Sequence, residues 1–94
     1  MLIFISGKIT GDDNYKAKFD KAQKELESQG HKVLNPTDIV PADIPYNKQM
    51  HICLKLIKVA DSVYFLEDWG ESKGARIEMK KALMLGKRIC IEGV

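Results

Sequence analysis

A chain of 94 residues, 45% hydrophobic and 30% charged, has the make-up of one small soluble domain spanning residues 1–94. At this size only ~60–65% of the unfolded surface is buried on folding, which leaves no area for a second core. The net charge of +2, from 15 basic and 13 acidic residues, gives no footprint for nucleic acid, and no aromatic–basic interleaving marks a single-strand groove.

Leu2 to Ile5 is a continuous apolar run ended by Ser6-Gly7, the pattern of a strand buried on both faces. The run is too short for a signal peptide or a membrane span, so a cytoplasmic protein with no membrane partner is expected. Asp12, Asp13 and Asn14 supply N-cap chemistry for a first helix, whose apolar positions Tyr15, Phe19, Ala22 and Leu26 recur at helical spacing up to Gly30. Lys32 to Asn35 reads as a second strand stopped by Pro36, and Thr37 to Pro45 as a loop.

Pro45 suits the first turn of a second helix with Tyr46, Met50, Cys53, Leu54, Ile57 and Ala60 on its apolar face. His51 and Cys53 stand two apart without a second ligand pair, and the two cysteines, Cys53 and Cys90, do not make a disulfide scaffold; no metal and no cofactor are expected. Ser62 to Leu66 is the third strand and Glu67 to Glu71 a loop. Ser72 caps a third helix that ends near Leu85-Gly86, and Arg88 to Glu92 is the last strand.

Alternation of four strands and three helices, with apolar strands lacking a polar face, predicts an α/β fold of the flavodoxin-like or Rossmann-like three-layer kind. The expected sheet is parallel, of order 2-1-3-4, with helices on both faces and a topological switch point between the first and third strands. Two loops then fall at the ligand-binding end. Ser6 to Gly11 has neither the GxxxxGK[ST] nor the GxGxxG spacing, and reads either as an anion-binding turn or as a plain tight one. The start of the third helix is more specific. Ser72 and free amides converge there, Gly74 points to a close approach to the backbone, and Glu78 lies one turn on among the small neighbours Gly74, Ala75 and Ala82.

The segments Ile3–Gly11, Asn35-Pro36, Ala60–Val63 and Leu66–Glu78 together resemble the nucleoside 2-deoxyribosyltransferase-like superfamily, most of all its small phage and prophage members. The resemblance covers nearly the whole chain, and the Ser72-x-Gly74-Ala75-x-x-Glu78 block is its most specific part. It implies an N-glycosidase or transferase with Glu78 as the nucleophile that attacks the anomeric carbon of a deoxyribose. Ser6, Gly7, Lys8 and Gly11 would contact sugar and phosphate, and Phe4 or Trp69 would meet the base. The partner is then a small-molecule nucleoside or nucleotide.

Ser72, six residues before the glutamate, matches the hydrolases that act on deoxynucleoside 5′-monophosphates, whereas transferases on free nucleosides carry Asp there. Active relatives place an Asp on the second helix where this chain has Cys53, and the alternative reading is an inactive nucleotide-binding or sensing module. A receiver-like domain fits less well, because Ser6-Gly7 replaces the acidic pair it needs. The short four-stranded sheet leads to the expectation of a homo-oligomer, with a dimer favoured.

Overall fold

The computed structural model describes residues 1–94. Its four strands are β1 (Leu2–Ser6), β2 (Lys32–Leu34), β3 (Ser62–Phe65) and β4 (Arg88–Ile91), and its helices are α1 (Tyr15–Ser28), α2 (Pro36–Ile39), α3 (Tyr46–Val59) and α4 (Lys73–Met84), with a 3-10 turn at Trp69–Glu71. The strands pair in the order β2-β1-β3-β4, all parallel, as the apolar runs predict. β1 connects through α1 to β2 on one side, while α3 leads to β3 on the other. The switch point therefore lies between β1 and β3, where Ser6 pairs with Phe65.

The pleat of β1 divides the core. Ile3 and Ile5 face α1, with Phe19, Ala22 and Leu26, and Leu66 completes that layer. Phe4 faces α3 and α4, where Cys53, Ile57, Val63, Phe65 and Ala82 close over it. No helix is long and apolar enough to cross a membrane.

Helix ends follow local chemistry. Gly30 and Gly86 stand just past α1 and α4 at φ of 91° and 67°, the left-handed conformation that glycine adopts at no steric cost. The N-terminus of α1 differs from expectation: Asn14 makes no side-chain cap, and Asp12 accepts from the Asn14 amide and from Lys18 instead. Asp61 clasps the start of β1, accepting from the Leu2 amide at 2.8 Å, at the end of the sheet remote from the switch point.

The stretch expected to be loop from Thr37 begins as a helical turn. Asn35, read as the end of a strand, is the N-cap of α2, and Pro36 takes the first helical position. Asn35 is buried and its bonds are fully used. Its Oδ1 accepts from the Thr37 amide at 3.0 Å and the Thr37 hydroxyl at 2.7 Å, while Nδ2 donates to Asp20 at 3.1 Å and Gln23 at 2.9 Å. From the other side Gln49 of α3 donates to the carbonyls of Ala42 at 3.2 Å and Ile44 at 3.0 Å. The segment between β2 and α3 is thus tied to α1 at one end and to α3 at the other.

Candidate active site

A cavity of about 580 Å³ opens at the carboxyl end of β1, within the range of small-molecule sites. Ser6, Gly7, Ile9 and Thr10 line it from the first loop, and Pro36, Val40, Pro41 and Ala42 form one wall. Tyr46, Met50 and Cys53 descend along α3, and Ser72, Gly74, Ala75 and Glu78 along α4.

Glu78 lies at the closed end. Only 6% of it is exposed, and its Oε1 accepts a hydrogen bond of 2.6 Å from the Ser6 hydroxyl, itself 1% exposed. Burial pushes the carboxyl up to about 7, against the opposing pull of two donors, Ser6 and Cys53. The same burial, and secondarily the charge of Glu78, push the Cys53 thiol up to about 12, so the sulfur stays a neutral thiol. Glu78 is therefore a carboxyl with neutral donors around it and no cation, able to hold or release a proton near neutrality. No second carboxylate or imidazole stands beside Cys53: His51 is exposed on α3, and Asp61 lies at the far end of the sheet.

Ser72 caps α4 by accepting from the Ala75 amide at 3.1 Å, and the amides of Lys73 and Gly74, first in the helix, have no intrahelical acceptors. The reason for Gly74 is visible. A β-carbon there would lie 3.1 Å from the Tyr46 hydroxyl and 3.3 Å from the Met50 sulfur, so glycine lets α3 side chains close over the start of α4. Gly7 has a harder constraint: a β-carbon would stand 2.7 Å from Leu66 Cδ1, inside the packed layer.

Of the residues expected at the site, Ser6, Gly7, Ser72, Gly74 and Glu78 line the cavity, and Phe4, Lys8, Gly11 and Trp69 do not. Phe4 is wholly buried, one pleat below Ser6 on the same face, with Cys53 and Ile57 in its core layer. Trp69 packs on Phe65 at a centroid distance of 5.5 Å and belongs to the same core. Lys8 turns to Glu71, Nζ to Oε1 3.8 Å, while its amide donates to Asp68. Lys73 is the one cationic side chain lining the cavity. Tyr46 and Met50 were readable only as apolar positions of a helix; their place in the cavity depends on how α3 lies against α4, which periodicity does not encode.

Residues 1–91 match the family model described as "Domain of unknown function (DUF4406)". No curated protein matches the sequence. Solved structures do. A 2-deoxyribosyltransferase from Bacillus psychrosaccharolyticus superposes with a TM-score of 0.77 at 19% identity, covering 97% of this chain and 71% of the other. A 2-desoxiribosyltransferase from Leishmania mexicana gives 0.76 at 19% identity, covering 96% and 62%. The CMP N-glycosidase BcmB of Clostridium botulinum gives 0.72 at 20% identity, covering 97% and 70%. At such identity these likenesses establish the fold, and the chain spans 62% of the Leishmania protein's length. The chain belongs to the DUF4406 family and has the fold of the nucleoside 2-deoxyribosyltransferase-like superfamily.

Proposed function

We propose that the cavity binds a deoxynucleoside or its 5′-monophosphate, and that Glu78 cleaves its N-glycosidic bond as the nucleophile. The observation that carries this reading is the buried Glu78 carboxyl at the closed end of a nucleoside-sized cavity, fixed by Ser6 and titrating near neutrality. One carboxylate oxygen attacks C1′, the C1′–N bond breaks, and its electron pair leaves with the base, which takes a proton from water. Water or a second base then attacks C1′ of the glycosyl ester and frees Glu78. Ser72 and the first amides of α4 would hold the 5′ end, where the helix N-terminus favours an anion such as a phosphate.

The test is incubation with a panel of deoxynucleosides and their monophosphates, with free base followed by chromatography. Release is expected from wild type and not from Glu78→Ala or Glu78→Gln. Release that persists in both variants removes Glu78 from the chemistry.

One observation favours a second reading, a nucleotide-binding module without turnover. The thiol of Cys53, beside Glu78, cannot accept hydrogen bonds from sugar hydroxyls as a carboxylate does. Calorimetric binding of a nucleotide with no base release, together with release gained in Cys53→Asp, would select it.

A further inference from the structure

We propose that Ser6 is the positioning residue of Glu78: its hydroxyl holds Oε1 and thereby leaves Oε2 as the oxygen that bonds to C1′. The kinetic part of this inference rests on the glycosidase reading above; the bond itself does not.

The geometry carries it. The donor–acceptor distance of 2.6 Å is at the short end for an O–H···O bond, where charged acceptors fall, and both partners are buried. Ser6 itself is fixed from three directions. It is the last residue of β1, in register with Phe65; its carbonyl accepts from the Leu66 amide at 2.8 Å; and the next residue, Gly7, is pressed against the Leu66 side chain. The hydroxyl therefore projects from backbone that is held on both sides. Glu78, on a separate element 72 residues away in sequence, is tied at Oε1 by that contact, while Cys53 of α3, a neutral thiol and the weaker donor, faces the same carboxyl.

An oxygen that already accepts a short hydrogen bond has less electron density for a new bond to carbon than one that does not. The same contact also favours the charged form, opposing the burial that keeps the proton on. Ser6 was expected to touch sugar or phosphate. With its proton committed to Glu78, its work is on the carboxylate instead.

The experiment compares wild type with Ser6→Ala and Ser6→Cys. The first removes the donor without adding volume, and the second keeps a weak donor in nearly the same shape. Two readouts are taken. The titration of Glu78 is followed by carboxyl-carbon NMR, with Glu78→Gln assigning the signal. Where base release occurs, kcat and KM are measured against pH.

Ser6→Ala is expected to raise the midpoint of Glu78. It should also lower kcat about tenfold or more with KM little changed, and move the rising limb of the pH profile upward by the same interval as the NMR midpoint. Ser6→Cys should fall between. An unchanged Glu78 midpoint in Ser6→Ala overturns the proposal, as does a loss confined to KM, which would return Ser6 to substrate contact. If wild type releases no base, the glycosidase reading fails by itself, and the NMR midpoint alone decides whether Ser6 governs Glu78.

Discussion

In the proposed role of nucleophile, Glu78 would place activity and stability in opposition. The fold raises its carboxyl from 4.5 to about 7, so below about 4.5 both folded and unfolded chains carry the proton and the folded state has no penalty. Between about 4.5 and 7 the unfolded chain gives up this proton to water while the fold keeps it, and stability falls by something on the order of 3 kcal/mol, the whole loss being present above about 7. A nucleophile needs the charged form, so kcat/KM should rise over the same interval and level off above about pH 7. Glu78→Gln separates the two effects. Its amide oxygen can still accept from Ser6, but it does not titrate. The difference in unfolding free energy between wild type and variant, from denaturant curves at pH 4 to 8, should shift steadily towards the variant as pH rises. A constant difference would mean that Glu78 is not held near neutrality.

At the scale of elements, the two glycines of the site respond differently to a methyl group. Gly7→Ala drives a β-carbon to 2.7 Å from Leu66 Cδ1, 2.9 Å from Cγ and 3.0 Å from Cβ, in a layer that has nowhere to move. A loss of about 1–3 kcal/mol is expected from denaturant midpoints. Gly74→Ala meets only the far ends of Tyr46 and Met50, which can yield by a few tenths of an ångström, and it gains helix propensity of up to about 1 kcal/mol. That variant should be at least as stable as wild type while binding nucleoside more weakly, because the yielding side chains move into the cavity they line. Equal affinity would show that Tyr46 and Met50 do not touch the ligand.

Asn35→Ala tests the opposite wall. It removes the cap of α2 and the bonds to Asp20 and Gln23, for a cost of about 1–2 kcal/mol, and leaves Pro36 to Ala42 tied to α1 only through the exposed Lys16, which bonds Thr37 and Asp38. Faster amide exchange confined at first to residues 37–44 is the expected signature. A uniform rise across the domain would instead point to global destabilisation.

These elements also show what the sequence could and could not convey. Parallel pairing and the Gly30 and Gly86 stops were legible because apolar runs and terminal glycines act locally, and the strand order because right-handed crossovers leave few arrangements of four such strands. The Asn35-Pro36 pair was ambiguous: it reads equally as a strand stop or as a cap with proline at the first helical position, and only the buried bonds to α1 decide. Of the residues that line the cavity, Glu78, Ser72 and Gly74 were legible from their spacing on one helix. Phe4, one pleat below Ser6, has its side chain beneath the cavity and not in its lining, and Trp69 packs on the core, which a loop aromatic can cover as readily as a ligand.

For the whole molecule, small size makes ligand binding measurable without any turnover. A domain of 94 residues typically has a net stability of about 5–14 kcal/mol, and a ligand that binds the folded state alone adds about 2.7 kcal/mol at one hundred times its Kd. For a chain of this length each kcal/mol moves Tm by about 4–8 °C, so a fitting nucleoside or nucleotide should raise Tm by roughly 10–20 °C. Glu78→Gln is the form to use, since it should keep the Ser6 contact while leaving the ligand uncleaved. A monophosphate should outperform its nucleoside if the start of α4 and Lys73 hold the 5′ end. Equal shifts are expected if they do not, because Lys8 is turned to Glu71 and adds no charge to the cavity. Free base alone should give a smaller shift than either, having no sugar to reach Glu78. A panel of deoxynucleosides, ribonucleosides and their monophosphates that leaves Tm within about 1 °C would count against nucleoside binding altogether, whatever the fold resembles.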